Sequence, residues 1–302
     1  MKVKSQEIEI SHADKLLFPD AGVSKEDLAE YYLRIAEAML PYLRERPISM
    51  QRFPDGIDGQ GFYHKEVPDY FPDWIDTVEV EVKEEERTQR QVVVNQPATL
   101  VFLADQACIT PHAWLSRVDK LDHPDRLVFD LDPPEDDFGE VRFAAKALKE
   151  ILQQVRLVPY VMTTGSKGAH VVVPLDRQEN FDNVRAFGRD LCDVLASHYP
   201  ERLTTETRKD QRKGRVFLDY LRNAYAQTAV PPYAVRALPG APIAAPLDWD
   251  EMDDPELDSQ SYSMKNIFRR LGQKDDPWIG IQRHARSLSG PRQELERLGE
   301  DE

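Results

Sequence analysis

Cysteine is scarce in this sequence. Only two occur in 302 residues, Cys108 and Cys192. Each sits in an apolar helical pattern, so both are expected to be buried free thiols in a reducing cytoplasm. Long apolar runs are missing as well. None approaches the ~18–20 residues that cross a bilayer, so no membrane partner is expected. Met1-Lys2-Val3-Lys4-Ser5 has no apolar stretch behind its charges, and a signal peptide is not expected. Internal repeats and low-complexity linkers are absent. Basic charge is in deficit: 39 Lys and Arg stand against 54 Asp and Glu, a net charge of −15. That balance argues against a general nucleic-acid binder.

The acid is unevenly spread. It concentrates in Glu79 to Glu86, Glu135 to Glu140, Asp248 to Asp258 and Glu300-Asp301-Glu302. Arg208, Lys209, Arg212, Lys213 and Arg215 form a local basic strip. Such a strip is either a solvated loop or a grip for a phosphate backbone. Hydrophobic residues make up 41% of the chain, enough for a real core.

The patterning predicts an α+β protein with mostly antiparallel strands. Ser24 opens a helix with the capping pattern Ser-x-x-Asp27, and Leu28, Tyr31, Tyr32, Ile35 and Met39 follow at helical spacing. Pro41 and Pro47 bracket its end. Val78, Val80 and Val82 alternate with charges as a half-exposed strand, Glu84 to Arg90 turns the chain, and Val92 to Val94 returns it. Helices are expected over Thr99–Cys108, Phe138–Leu152, Phe181–Tyr199 and Met264–Leu271. Strands are expected at Val158–Thr163, Ala169–Pro174 and Arg215–Leu221, and irregular chain over Pro231–Pro246. We expect a single domain over 1–302. Its N-terminal lobe would reach about Ala98, its catalytic lobe would run from about 99 to 290, and residues 291–302 would be a frayed tail.

The chemistry starts at Asp130-Leu131-Asp132. The pair ends the apolar run Leu127-Val128-Phe129 and is stopped by Pro133-Pro134. On a strand, residues i and i+2 share a face, so two carboxylates sit side by side. Bare, they repel, and one tends to keep its proton. A hard divalent cation removes the conflict. Asp219, within Val216-Phe217-Leu218-Asp219-Tyr220, supplies a third strand-borne acid. Three such carboxylates match a two-metal site for in-line phosphoryl transfer. The structural alternative is a buried acid paired to an arginine such as Arg222.

Other candidates surround them. The turn Thr163 to His170 has two glycines, hydroxyls and Lys167 and could cradle a triphosphate, although its spacing is not that of a Walker A loop. It could equally be a plain glycine-rich hairpin turn. His112, Arg222 and Arg236 are candidates for the same charge, or ordinary structural and surface residues. Phe62-Tyr63-His64-Lys65 offers aromatics for base stacking or for core packing. Lys15 and Lys25 flank Phe18 to Gly22 and could hold a terminal phosphate or simply be solvated.

Together these stretches have a familiar order. Asp14-Lys15-Leu16-Leu17-Phe18-Pro19, Arg46-Pro47, Arg52-Phe53-Pro54-Asp55-Gly56, Phe62 to Lys65 and His112 to Arg117 come first. Asp125 to Pro133, Thr164 to His170 and Phe217 to Asn223 follow, and the similarity ends at Trp249-Asp250-Glu251. The chain resembles the polymerase domain of bacterial ATP-dependent DNA ligase D, a branch of the archaeo-eukaryotic primase superfamily. The resemblance implies a primase-polymerase fold, with a catalytic mixed or antiparallel sheet flanked by helices and an N-terminal α/β module. It implies template-directed nucleotide addition, preferring ribonucleotides, at double-strand-break ends and gaps in bacterial non-homologous end joining. Two Mn2+ or Mg2+ ions would sit on Asp130, Asp132 and Asp219. His112, Thr164, Ser166, Lys167, His170, Arg222, Arg236 and Arg52 would meet the incoming NTP or dNTP. Lys15 and Lys25 would take the 5′-phosphate across a gap, and Phe62, Tyr63 and Lys65 the template side. Arg208, Arg212, Lys213 and Arg215 would match a loop that helps bring two DNA ends together. The implied partners are broken, gapped or overhanging DNA, Ku and an ATP-dependent DNA ligase, in a nucleoid-associated cytoplasmic setting.

The family is often fused to ligase and phosphoesterase modules, and no such sequence is present here. Gln51 also lacks the positive charge that some relatives place before the Arg52 position. Two other functions compete: a de novo primase of a mobile element, and a non-catalytic module that bridges DNA ends. The lysine pocket favours gap work over priming, and the intact carboxylate set counts against pure bridging.

Overall fold

A computed structural model describes every residue except Lys4, Lys83, Glu84, Asp136, Asp301 and Glu302. Glu84, where the expected Glu84–Arg90 turn begins, and the last two acids of the tail thus lie outside the described residues; Arg87 to Arg90, expected in that turn, belong instead to a strand, Arg87–Val93. The chain divides into two compact units. The first comprises Met1–Asp119, Thr228–Ala244 and Tyr262–Arg270; the second comprises Lys120–Gln227, Ala245–Ser261 and Leu271–Glu302. Ala98, the expected end of the N-terminal lobe, lies inside a helix of the first unit.

In the first unit, helix α1 (Lys25–Leu43) starts at the predicted capping box. Ser24 Oγ accepts the Asp27 N–H, and the Asp27 carboxylate accepts the Ser24 N–H. The helix ends at Leu43, between Pro41 and Pro47 as expected, with Tyr42 and Leu43 burying their side chains. Helix α2 spans Pro97–Asp105. Ala107 then takes a positive φ of 53°, and Cys108 opens a strand instead of closing the expected helix. Both thiols are free and buried, as expected.

The sheet of this unit contains β1 (Pro47–Arg52), β2 (Phe62–His64), β3 (Thr77–Val82), β4 (Arg87–Val93) and β5 (Cys108–Trp114). Its order is Thr228–Ala229, β5, β1, β4, β3, with β2 also pairing β1. Pro231 to Ala244 is irregular, as expected, but much of it is buried; Ala245 and Pro246, expected to be irregular too, open the strand Ala245–Leu247 instead.

The second unit is built on β6 (Arg126–Asp132), β7 (Tyr160–Thr163), β8 (Ala169–Pro174), β9 (Leu203–Thr204), β10 (Val216–Asp219) and β11 (Ala245–Leu247). Their order is β9, β10, β6, β8, β7, β11. All pairings are antiparallel except β9 with β10. Helices α3 (Phe138–Gln154) and α4 (Phe181–His198) turn apolar stripes inward. Gly188 of α4 sits against Leu127 and Phe129 of β6. The odd-numbered residues of β6 therefore face α4, and Asp130 and Asp132 face the other side. The last dozen residues, expected to fray, instead form most of a helix over Ser289–Glu300. Leu295 is buried there, and Arg292 donates to the Asn183 carbonyl at 3.1 Å.

One polar side chain completes the central strand. Strand β10 pairs with β6 only from Asp130 to Asp132. Beyond it, Asn223 is fully buried and stands in for a strand. Its Oδ1 accepts the Val128 N–H at 2.8 Å, and its Nδ2 donates to the Val128 carbonyl at 2.7 Å and the Tyr220 carbonyl at 2.8 Å. Removing it strands two buried backbone groups, each costing about 1–3 kcal/mol. Asn223→Ala should therefore lose about 2–5 kcal/mol in urea unfolding. An unchanged midpoint would show that β6 does not depend on this bond set.

Candidate functional site

The register of the second sheet places the acidic residues. Asp130 stands opposite Asp219 across one ladder and opposite His170 across the other. Directly opposed residues share a face, so these three side chains form one cross-strand row. Asp132, two residues on, joins them on that face. Asp130 is buried. Its Oδ2 accepts a 2.7 Å hydrogen bond from Arg222 Nε, and its Oδ1 lies 3.5 Å from His170 Nε2. Burial alone would raise its pKa, but the His170 ring and the Arg222 guanidinium outweigh burial and hold the carboxyl well below the usual range. Asp132 goes the other way. Burial first, then the Asp130 and Asp219 carboxylates, push it up to about 6. Asp219 is also raised by burial, against the Leu221 N–H that it accepts at 2.7 Å.

The turn between β7 and β8 closes over the end of β6. Gly165 adopts a φ of 65°, which favours glycine. Thr164 Oγ1 accepts the N–H groups of Ser166 and Gly168 and donates to the Gly168 carbonyl. A Cβ on Gly168 would come within 2.0 Å of the Leu131 carbonyl, so only glycine lets the turn approach the strand that carries the acids. Lys167 lines a cavity of about 310 Å³ together with Asp132, Glu135, Lys209 and Arg212. Part of the basic strip thus reaches the acidic row. Arg212 donates to the Glu206 and Thr207 carbonyls and lies 3.9 Å from the Phe217 ring centre. Arg215 donates to three carbonyls of its own surroundings. Both arginines therefore help shape the loop, whereas Arg208 and Lys213 are exposed.

The remaining candidates lie in the first unit. Lys15 and Lys25 line a cavity of about 300 Å³ with Ser11, His12 and Arg52. Arg52, expected at the nucleotide, is thus grouped with the lysines. It donates to the Gln106 carbonyl at 2.8 Å and lies 3.1 Å from His64 Nδ1. Lys15 pairs with Asp55 at 2.9 Å, and the buried Lys25 with Asp105 at 3.5 Å. Ser11, His12 and Asp105 escaped the sequence analysis because no periodicity or motif marks them. His112 sits on β5, 3.2 Å from Gln51 Oε1, with its ring centre 5.4 Å from that of Tyr63 and tilted 60° to it. Phe62, Tyr63 and Lys65 are exposed. Arg236 is half-buried after Val235, which bridges Ile243.

A largely antiparallel sheet carrying three carboxylates beside a glycine turn and fixed cations has the donor types that phosphoryl transfer of the nucleotidyltransferase kind requires. The chain belongs to the LigD family of primase-polymerase domains: residues 24–278 match the family described as LigD, primase-polymerase domain. A multifunctional non-homologous end joining protein LigD of Pseudomonas aeruginosa is 32% identical over 274 residues, covering 90% of this chain and 32% of that protein. A multifunctional non-homologous end joining DNA repair protein LigD of Mycobacterium tuberculosis is 30% identical over 280 residues, covering 90% and 36%. The chain therefore spans about a third of the length of these relatives. Among solved structures, the polymerase domain from Mycobacterium tuberculosis ligase D in complex with DNA matches with a TM-score of 0.87. The match has 29% identity and covers 93% of this chain and 100% of that one.

A polymerase domain of this type uses divalent metal, and the donor chemistry fits. Three hard oxygen donors sit on neighbouring strands, and two of them are raised by burial and mutual repulsion. Among the described residues no three such groups are drawn to ligand distance; Asp130 is turned to Arg222 and His170 instead. The sign of the Asp132 shift gives a test. A carboxyl raised on folding holds its proton more tightly when folded. Its contribution is present below the unfolded value of ~3.9 and is lost as pH rises through about 6. In chelator, Asp132→Asn should gain stability relative to the parent across that window, and millimolar magnesium should close the gap. A difference independent of pH would refute the repulsion.

Proposed function

We propose that this chain adds nucleotides to DNA ends and gaps, taking direction from a template strand, as the polymerase module of a bacterial end-joining system. The observation that carries the proposal is the cross-strand row of Asp130, Asp219 and His170 beside the Thr164–Gly168 turn. Asp130, Asp132 and Asp219 would hold two Mg2+ or Mn2+ ions. Bound there, the ions would supply Lewis-acid charge to a primer 3′-hydroxyl and to the leaving pyrophosphate. Arg222 offsets the acid charge until then and stays as a fixed cation. The Ser166–Lys167 turn supplies donors for a triphosphate, with His170 beside it and Lys209 and Arg212 across the same cavity. His112, Arg236 and a ribonucleotide preference rest on the family resemblance.

Lys15, Lys25 and Arg52 converge on one cavity with Ser11 and His12. Three cations around a small polar pocket suit a terminal 5′-phosphate. Phe62 and Tyr63 offer exposed rings for the template side. The relatives' names point to non-homologous end joining, and the solved relative was bound to DNA. Ku and an ATP-dependent ligase are the partners that this reading implies.

Primer extension in manganese tests the centre. Asp130→Ala should cut extension by at least about 10³-fold, equivalent to about 4 kcal/mol, while binding to DNA ends persists. Parental extension by that variant would sink the metal assignment. The lysines give a second test on gapped duplexes. Lys15→Ala with Lys25→Ala should erase the advantage of a 5′-phosphorylated gap over an unphosphorylated one. Equal loss on both substrates would refute the phosphate pocket.

A further inference from the structure

The acidic tract that runs on from Asp248 takes no part in the chemistry above, yet it reaches the glycine turn. Ser259 Oγ donates to the Ser166 carbonyl at 2.6 Å, and Gln260 Nε2 donates to the same oxygen at 2.9 Å. Ser259 is only 7% exposed. Two side chains adjacent in sequence therefore occupy both lone pairs of one carbonyl.

The segment behind them is braced. Asp254 Oδ1 accepts the Glu256 N–H at 2.9 Å, and Asp258 Oδ1 accepts the Gln260 N–H at 2.7 Å. The Asp258 N–H donates to Ser261 Oγ at 2.9 Å. Arg142 of α3 donates to the Pro255 and Leu257 carbonyls at 3.2 and 3.1 Å, and Leu257 is buried. The acidic residues here are turn formers that stiffen a strut.

That strut meets the turn at its tip. Thr164 ties the two ends of the turn together, and Gly168 is fixed against β6. The Ser166 carbonyl between them is held from outside. A trans peptide is planar, with its C=O and N–H pointing in opposite directions. Holding the Ser166 carbonyl toward Ser259 and Gln260 therefore holds the Lys167 N–H away from them. A rotated peptide would instead present a carbonyl oxygen, the negative end of the dipole, where a polyphosphate must approach.

We propose that Ser259 and Gln260 are positioning residues for the incoming nucleotide. They lock the Ser166–Lys167 peptide so that Lys167 offers its N–H and its side chain to the triphosphate. The proposal rests on the reading that the Thr164–His170 turn binds that triphosphate. It assigns a use to the acidic tract: its side chains never touch the nucleotide but fix the loop that does.

The test is single-nucleotide addition to a primed template. Nucleotide KM and kcat, DNA affinity and thermal unfolding are measured for Gln260→Ala, Ser259→Ala with Gln260→Ala, Ser259→Thr and Lys167→Ala. Loss of two hydrogen bonds to one acceptor should raise nucleotide KM about tenfold in the double variant. Its kcat should stay within about threefold, and DNA affinity should hold. Gln260→Ala alone should raise KM about threefold, and Ser259→Thr, which keeps the hydroxyl, should restore the parental value. Inhibition by inorganic pyrophosphate should weaken in step with KM. Parental KM in both alanine variants, with KM raised in Lys167→Ala, would overturn the positioning role and leave the turn as the triphosphate site. Parental KM in Lys167→Ala as well would overturn the site itself. A drop in kcat at constant KM would also count against positioning. If the double variant unfolds, Gln260→Ala decides, because its exposed side chain leaves the core untouched.

Discussion

The alignment of Asp130 with Asp219 on one side and His170 on the other is the constraint on which the rest of the second unit depends. A slip of one residue in either ladder would turn Asp130 toward α4 and bring Leu131 into the polar row. The apolar half of the strand forbids that slip. Leu127, Phe129 and Leu131 are fully buried, and Leu127 and Phe129 pack against Gly188 of α4. The same alternation that builds the core thus places the acids. Asn223 extends the arrangement by binding both backbone groups of Val128 where β10 has ended. The packing of one sheet face and the chemistry of the other are set by a single register.

Electrostatics within the row are deliberately unequal. Asp130 is buried but kept ionised by Arg222 and His170, whereas Asp132 and Asp219 are pushed toward the neutral form. A buried carboxylate with no cation would be costly, and a permanent ion pair at all three would leave no donor for a metal. The protein satisfies one acid internally and leaves the other two under strain that a cation would relieve. Arg222 suits the first task because guanidinium stays charged at any working pH.

Local patterns carried much of the fold. The Ser24 capping box, the amphipathic α3 and α4, and the paired acids at a strand end are all short-range features of the sequence. What escaped was decided at long range. Cys108 is a strand residue because Ala107 turns the chain with a positive φ, not because of any periodicity. Residues 291–300 are helical because Leu295 and Arg292 find partners, and those lie elsewhere in the chain. The site shows the same division. The acids, the glycine turn and the lysines were visible as types and spacings. Asn223 in its bridging role, Ser11 and Asp105 beside Lys25, and Ser259 beneath the turn were not. Each acts through a partner distant in sequence, and each is a common residue in an unremarkable context.

The two places proposed here for phosphate hold their groups by different devices. Around Lys25 the ammonium is held in place: it pairs with Asp105 at 3.5 Å, while Ser11 accepts from the lysine and donates to the same aspartate. On the proposed reading, a phosphate entering that pocket would compete with one carboxylate for Lys25. The turn at Ser166 works mainly through direction. Its donors are backbone groups aimed by Thr164, by the close approach of Gly168 to β6, and by Ser259 and Gln260 on the tip carbonyl. On the proposed reading, the counter-ion holds a lysine in place for one fixed group, the 5′ end of a DNA strand, while the aimed turn sets the path of a nucleotide whose charge the neighbouring cations balance.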